Sequence, residues 1–308
     1  MSNRSAITGQ IRAKALDLGF DACGFCRTES ADTERERLKR WLDAGYHAGM
    51  DYMANYFEER CNPAKLVEKA CSIVSLALNY YPARFQPPEV PQIAYYAYGQ
   101  DYHSIMKAKL QQLFEYIQTL VPNVSGRCFC DTAPVLERYW AAKAGLGFIG
   151  KNTLLIIPRK GSYFFLGEIV LNIALDYDKP SGGACGNCRR CMDACPTKAL
   201  EAPCLLDTRK CISYQTIENK GAIDETLVPL LGNRLYGCDA CQQACPWNRF
   251  AQPHNTPEFE LPEERERLSL DALNRMNEDD FRRIFKGSAM KRAKYSGLKR
   301  NAESLKKN

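Results

Sequence analysis

The residues of this chain that are best suited to chemistry are cysteines in two closely spaced runs. Fifteen cysteines occur in 308 residues, and nine of them lie from Cys185 onward. The runs are Cys185-x2-Cys188-x2-Cys191-x3-Cys195-Pro196 and Cys238-x2-Cys241-x3-Cys245-Pro246. Thiolates at this spacing, with a proline after the last, are typical ligands of [4Fe-4S] clusters. The sequence therefore predicts two iron-sulfur clusters between residues 185 and 245.

The ligand sets follow from the pattern of two-cluster ferredoxins. There, the first three cysteines of a run hold one cluster and the fourth reaches the neighbouring cluster. The predicted ligands are Cys185, Cys188, Cys191 and Cys245 for cluster one, and Cys195, Cys238 and Cys241 plus one outside cysteine for cluster two. Cys211 and Cys204 are the candidates for the outside ligand, and we choose Cys211. Paired Cys-x2-Cys units also hold structural zinc, but two Cys-Pro endings favour clusters.

The pairs Cys23-x2-Cys26 and Cys128-x-Cys130 could also be ligands by their spacing, but each lies in or beside an apolar segment, and Cys61 and Cys71 have no partner spacing. We assign these six cysteines to the hydrophobic core, where free cysteine behaves as a small apolar residue. Two clusters in series move single electrons and do not complete organic chemistry alone. A further redox centre is therefore implied, either as a cofactor in the N-terminal half or in a separate partner protein.

Apolar periodicity and turn residues indicate the elements that position these groups. Predicted helices are Ser5 to Leu18, Thr33 to Ala44, His103 to Leu120, Pro134 to Ala144 and Ser269 to Phe285; predicted strands are Ser72 to Leu78, Arg127 to Cys130, Thr153 to Ile157 and Tyr163 to Ile173. The turn-forming residues 158 to 162 predict that the last two strands form a hairpin. The fold class is α+β.

Composition places domain boundaries at a linker and at a polar segment. Residues 178 to 183 have the composition of a linker, and the chain becomes polar after Trp247. We expect an N-terminal α/β domain at 1–177, a ferredoxin-like module at 178–250 and a helical C-terminal segment with a basic tail at 251–308.

Charge and hydropathy limit the location and the partners. The net charge is +6, but residues 282 to 308 alone carry ten Lys or Arg and one acid. Such a tail is compatible with a solvated surface or with attraction to a polyanion such as RNA. No apolar stretch reaches the roughly 18 residues that a membrane span needs, and residues 1 to 20 do not have the pattern of a secretory signal. We expect a cytoplasmic protein without a membrane partner.

Several motifs beyond the cysteine runs resemble those of the epoxyqueuosine reductase family. They span nearly the whole chain and are the segments 45–50, 98–103, 131–138, 144–152, 161–168, 233–239 and 298–302. Among them are Gly-Gln-Asp-Tyr-His at 99–103 and Asp-Thr-Ala-Pro-Val-Leu-Glu-Arg at 131–138. Together these motifs are more specific than the cysteine runs alone.

The resemblance implies a cobalamin-binding domain related to reductive dehalogenases, fused to the ferredoxin-like module. The implied reaction reduces epoxyqueuosine at the wobble position of tRNA to queuosine, the last step of queuosine biosynthesis. The implied cofactors are cobalamin and two [4Fe-4S] clusters. The implied partners are the tRNA substrate and an external low-potential electron donor, and we expect a monomer.

The resemblance also assigns roles to single residues. Asp131 matches the proton donor, because removing the epoxide oxygen as water requires a proton at that oxygen. The alternative is that Asp131 caps the helix predicted to begin near Pro134. Positions that match cobalamin contacts are Arg60, Ala94, Asp131, Leu155, Leu166, Ser213 and Asp239.

The chain departs from the family pattern in places. Tyr95, Tyr98 and Gln100 stand where Trp or Arg is common. The chain also stops at Asn308, without the helical-repeat extension of longer members, so we expect a short form. Two other functions stay open: a ferredoxin-type electron carrier, and a cobalamin-dependent reductase of a small molecule.

Overall fold

The computed structural model describes residues 3–306. The α-helices in this range are α1 Asn3–Asp17, α2 Asp32–Asp43, α3 Phe57–Cys61, α4 Tyr102–Leu120, α5 Glu137–Lys143, α6 Arg190–Asp193, α7 Ile212–Ile217, α8 Ala240–Gln243, α9 Glu263–Glu266, α10 Leu270–Arg275, α11 Glu278–Ile284 and α12 Lys294–Leu305. The strands are β1 Ala22–Arg27, β2 Ser72–Asn79, β3 Gln92–Ile93, β4 Gly126–Phe129, β5 Phe148–Ile149, β6 Leu155–Ile156, β7 Phe164–Leu171, β8 Leu200–Ala202, β9 Leu205–Leu206 and β10 Arg234–Tyr236.

The N-terminal half is built on a four-stranded antiparallel sheet in the order β1-β2-β7-β4. Strand β2 is central, and all its residues from 72 to 78 are buried. Because side chains alternate across a strand, Val74 and Leu76 pack towards α1 and α4, whereas Ile73 and Ala77 pack towards α5. Helices therefore cover both faces of the sheet, which explains why β2 is buried on both faces and its apolar residues do not alternate with exposed polar ones.

A second hydrophobic core lies in the C-terminal half, but it is not built from that half alone. Ile93 and Tyr98 pack in one cluster with Leu235, Phe285 and Leu298. Strand β3 pairs in parallel with β10, which brings residues 92 to 98 against the cluster module. This core joins residues from all three predicted domains.

Two predictions about element pairing and length are wrong. Strand β6 pairs with β5, and β7 pairs with β2 and β4, so they do not form the predicted hairpin. Gly147 permits the β5–β6 pairing, because a Cβ there would lie 2.1 Å from the Ile156 carbonyl oxygen. The predicted helix 269–285 is two helices, because Asn277 forms a capping box with Asp280 and starts α11.

The basic C-terminal segment is folded into the protein. Asn301 is fully buried, and its Nδ2 donates to the carbonyls of Thr216 at 2.8 Å and Leu235 at 3.0 Å. Arg300 donates to the carbonyls of Gln215 and Asn219, both at 2.7 Å. Part of the positive charge of the segment therefore serves internal packing. None of the helices in the described range is long and apolar enough to cross a bilayer.

Candidate active site and iron-sulfur module

The four cysteines predicted for cluster one surround a common cavity. Cys185 and Cys188 lie in the loop before α6, Cys191 lies within α6 and Cys245 follows α8. All four line one cavity together with Lys151 and Trp247. The backbone N–H of Lys151 donates to the Cys185 sulfur at 3.4 Å. This donor set, four thiols around an open space with an amide N–H directed at one sulfur, fits the sulfur ligands of a cluster.

The cysteines predicted for cluster two also come together, and they include the outside ligand that we chose. Burial raises the pKa of Cys241 well above its usual value, and the neighbouring Cys238, Cys211 and Cys195 raise it further. Cys204 lies elsewhere: it is exposed, and its sulfur donates to the Gly150 carbonyl. The geometry therefore groups Cys211, not Cys204, with Cys195, Cys238 and Cys241.

Burial disfavours free thiolates in the second set. These cysteines can therefore be held as thiolates only with a metal centre present. Burial raises the pKa of the Cys238 thiol to about 11. The amides of Ser213 and Tyr214, at the start of α7, point at the Cys211 sulfur. In residues 3–306 no three His, Cys, Asp or Glu side chains converge as closely as a single ion requires.

The carboxylate of Asp131 belongs to a chain of three hydrogen-bonded side chains. Asp131 follows β4, and its Oδ2 lies 2.8 Å from Nε2 of His103. On the other side of the imidazole, Nδ1 lies 2.6 Å from Oδ1 of Asp101. Asp101 also caps α4 by accepting from the His103 backbone N–H at 3.0 Å. The start of α4 and the end of β4 therefore position the three groups in a row.

The capping role considered for Asp131 is contradicted by the structure. Helix α5 begins at Glu137, its N-cap is Leu136, and no side chain caps it. Asp131 lies six residues before α5 and directs its carboxylate to His103 instead. The Asp131 side chain is 56% exposed, so it is open to a ligand.

The three groups shift one another's protonation. The hydrogen bond to Asp101, and then that to Asp131, raises the pKa of His103 to about 9. Desolvation is the largest single effect and raises the pKa of Asp131. The hydrogen bond and charge of His103, the hydrogen bond from Tyr102 and the charge of Arg138 together lower it more, so the net pKa lies below the usual value. The hydrogen bond from His103 likewise lowers the pKa of Asp101. At neutral pH the arrangement is an imidazolium between two carboxylates.

Two further carboxyl groups lie behind Asp131. Glu137 Oε1 accepts from the Asp131 backbone N–H at 2.5 Å, and burial raises the pKa of Glu137 to about 8. Glu168 of β7 is fully buried, and burial together with the nearby Glu137 raises its pKa well above the usual value. Sequence analysis gave no role to His103, Asp101, Glu137 or Glu168. The available signal was Asp101-x-His103, in which an acid sits two residues from a histidine.

The other predicted cofactor contacts, apart from Arg60, lie in three places. Leu155 and Leu166 lie in the hydrophobic cluster beneath the sheet. Ala94 and Asp239 line one cavity of about 210 Å³ beside Cys238. Asp239 is buried, accepts from the Tyr95 backbone N–H at 2.8 Å, and has its pKa raised to about 6 by burial. Ser213 lies beside Cys211 of the second set.

Arg60 provides the best observation that this region accepts a large polar cofactor. Its side chain is 8% exposed, and burial lowers its pKa. Nη2 donates to the Tyr52 carbonyl at 3.1 Å, but Nε is buried without a partner among the described residues. Buried N–H groups are nearly always paired. The free donor fits a ligand that offers carbonyl groups, as the amide side chains of cobalamin do.

Comparison with known proteins decides the family. Residues 60–132 match a family model described as "Epoxyqueuosine reductase QueG, DUF1730", and residues 184–248 match a "4Fe-4S double cluster binding domain". The epoxyqueuosine reductase of Leadbetterella byssophila is 46% identical over 96% of this chain and 97% of that protein. The chain belongs to the epoxyqueuosine reductase family. It carries the family's double cluster domain at the position that the cysteine runs predicted.

Solved structures of the family have the same fold. An epoxyqueuosine reductase bound to an epoxyqueuosine-modified tRNA-Tyr stem loop superposes with a TM-score of 0.91 at 32% identity, over 97% of this chain and 80% of that one. The Bacillus subtilis epoxyqueuosine reductase, with a TM-score of 0.91 at 31% identity over 97% and 81%, has been solved with its catalytic aspartate loop swung out of the active site. A reductive dehalogenase superposes with a TM-score of only 0.47 at 18% identity, which is too low to support an argument.

Proposed function

We propose that the protein reduces epoxyqueuosine in the anticodon loop of tRNA to queuosine. The reaction removes one oxygen atom: the epoxide takes up two electrons and two protons and becomes an alkene and water. The observation that carries the proposal is the exposed carboxylate of Asp131, whose Oδ2 lies 2.8 Å from Nε2 of His103. This carboxylate occurs in a chain of the epoxyqueuosine reductase family. A carboxyl group at this position is suited to protonating the oxygen that leaves.

We propose cobalamin and two [4Fe-4S] clusters as the cofactors. Bound cobalamin would supply a cobalt centre that transfers electrons to the substrate. Arg60 would donate its free Nε–H to the cofactor's amides, and Leu155 and Leu166 would offer apolar surface to the corrin. Ser213 and Asp239 lie beside the second cysteine set and would bring the cluster module against the cofactor.

The surroundings of the two cysteine sets differ in exposure, and this difference supports a direction of electron flow. The loop that holds Cys185 and Cys188 is largely exposed from residue 182 to residue 190. The second set lies next to Asp239, which contacts Tyr95 in the interior. We propose that an external low-potential donor delivers electrons at cluster one, and that cluster two passes them on to the cofactor.

The basic C-terminal segment supports an RNA substrate. Arg292 pairs with Glu218 through two hydrogen bonds of 2.8 Å and lies over the Tyr52 ring at 5.9 Å. The charge of Asp131 also acts on Arg292, so this positively charged guanidinium lies at the rim of the active site. A wobble nucleotide must leave its stack to reach Asp131, and phosphates flanking it would meet this charge. We place the protein in the cytoplasm, where tRNA is found and where cysteines stay reduced. We expect it to act as a monomer.

The test is anaerobic reconstitution followed by an RNA assay. We expect about eight irons per chain, four for each cluster, with stoichiometric cobalt. With a reduced dye as electron donor, the reconstituted protein should then convert the epoxyqueuosine of an anticodon stem loop to queuosine, as measured by mass spectrometry. Asp131→Asn is the control. Eight irons without cobalt would instead indicate an electron carrier. Cobalt uptake with no conversion, and with tRNA binding insensitive to salt, would indicate a reductase of a small molecule.

A further inference from the structure

The hydrogen bonds within the triad of Asp101, His103 and Asp131 require one proton more than a neutral imidazole and two carboxylates hold. Nδ1 faces Oδ1 of Asp101 at 2.6 Å, and Nε2 faces Oδ2 of Asp131 at 2.8 Å. An ionised carboxylate is only an acceptor, and a neutral imidazole has only one N–H. Both contacts are therefore satisfied as hydrogen bonds only by the imidazolium, or by a protonated carboxyl group at one end. In every arrangement the triad holds one proton more than a neutral imidazole between two carboxylates.

Asp131 by itself is a poor store for that proton. Its pKa lies below the usual value for an aspartate, so this carboxyl group is ionised at neutral pH. His103 lies at the N-terminal end of α4, where the helix dipole disfavours a cation. Two carboxylates in direct contact outweigh that effect and keep the imidazole charged. The resting proton therefore belongs on His103.

We propose that His103 is the proton store of the active site and that it reloads Asp131 during reduction of the epoxide. This inference rests on the proposed function. The proton on Nε2 passes to Oδ2 of Asp131, and Asp131 passes it to the epoxide oxygen as the carbon–oxygen bond breaks. The two electrons come from the reduced cofactor. The neutral imidazole keeps its Nδ1–H on Asp101, takes a new proton from solvent, and supplies the second proton for the departing water.

The exposure of the groups is compatible with this route. The His103 side chain is 26% exposed, and that of Asp101 is 40% exposed, so water reaches the imidazole. The Tyr102 ring stacks on His103 with centroids 4.1 Å apart and limits its rotation. Asp101 acts on the proton only through His103, so it is a positioning residue.

Other titratable groups around the triad must be separated from His103 in any pH study. Those that interact with the triad are Tyr102 and Lys107 of α4, Glu137 and Arg138 of α5, Tyr236 of β10, Cys130, Tyr52, Tyr96 and Arg292. Glu137 is the main rival, because its pKa is raised to about 8 by burial. It contacts the backbone N–H of Asp131 and not the carboxylate.

The experiment compares the pH dependence of single turnover in reconstituted holoenzyme. We expect the wild-type rate to fall above about pH 9 as His103 loses its proton. His103→Gln should be about 10²-fold slower at pH 7, within the usual range for general acid catalysis, with tRNA affinity unchanged and the alkaline fall lost. Glu137→Gln should keep the fall. The double variant with Asp131→Asn should be no slower than Asp131→Asn alone, because both residues serve one route.

A second readout does not depend on turnover. The imidazole of His103 can be titrated by NMR in protein with ¹³C-labelled histidine, and its signal is assigned by its loss in His103→Gln. We expect a pKa near 9 that falls in Asp101→Asn. An alkaline fall retained in His103→Gln, or an imidazole pKa near 6.5, would overturn the proposal. A wild-type protein that reduces no epoxyqueuosine would remove the proposed function, while the titration would still decide whether His103 stores the proton.

Discussion

The backbone N–H of Asp131 donates to Oε1 of Glu137 at 2.5 Å, and this contact accompanies a left-handed backbone at Asp131 with φ of 56°. Aspartate is one of the few residues other than glycine that tolerates this conformation. The loop after β4 is thereby turned so that the side chain faces His103 and the backbone faces α5. Side chain and backbone of one residue are thus held by two different elements.

We predict that Asp131→Asn lowers turnover by about 10²- to 10⁴-fold, the usual contribution of a general acid. Asparagine also tolerates the left-handed backbone, so the loop, the iron content and the cobalt content should be unchanged. The measurement is single turnover on an epoxyqueuosine stem loop. Asp279→Asn, on the exposed surface of α11, is the matched control and should keep full activity. A rate for Asp131→Asn within threefold of wild type would remove Asp131 from the reaction.

The ligand sets lead to a prediction about iron content. Cys211→Ala should reduce the iron of reconstituted protein from about eight to about four per chain, because Cys211 lies with Cys195, Cys238 and Cys241. Cys204→Ala is the matched control and should keep about eight, because Cys204 is exposed and bonded to the Gly150 carbonyl. Iron and sulfide analysis with EPR of the reduced protein measures both. The reverse outcome would make Cys204 the ligand.

Local patterns in the sequence predicted the long elements well. Helix α4 was expected at 103–120 and is observed at Tyr102–Leu120, because its apolar residues Met106, Leu110, Leu113 and Ile117 recur at helical spacing on one face. Strand β2 was expected at 72–78 and is observed at Ser72–Asn79. These elements are specified by their own residues. The same holds for the cysteine runs, since their spacing is a property of the local chain.

Relationships between distant segments could not be predicted in this way. His103 and Asp131 are 28 residues apart, and only the packing of α4 against β4 and β7 brings them together. Strand β3 is two residues long and acquires its role by pairing with β10, more than 140 residues later. Neither contact leaves a periodic signal, because each depends on how two locally specified elements meet. The predicted hairpin is wrong for the same reason, because β7 pairs with β2 and β4 and not with β6.

The burial of Asn301 predicts that the C-terminal helix is structurally essential. Asn301→Ala would leave the carbonyls of Thr216 and Leu235 unpaired in the interior, which should lower the free energy of unfolding by about 2–4 kcal/mol. Anaerobic urea denaturation measures the change. Ser304→Ala on the same helix is the control and should cost less than about 0.5 kcal/mol. An equally small cost for Asn301→Ala would mean that α12 is only loosely attached.

Glu168 leads to a prediction about stability and pH. It is fully buried, its Oε2 has no partner among the described residues, and its pKa is raised by burial. The folded state therefore keeps a proton that the unfolded state releases above pH 4.5, so this group lowers stability as pH rises through and beyond that value.

Glu168→Gln cannot ionise and lacks this loss. Relative to wild type, we expect Glu168→Gln to gain stability between pH 6 and pH 8.5, by at most about 1.4 kcal/mol per pH unit. Glu263→Gln on exposed α9 should show no such trend. If urea denaturation instead gave a difference between Glu168→Gln and wild type that stayed constant with pH, Glu168 would be ionised in the folded protein.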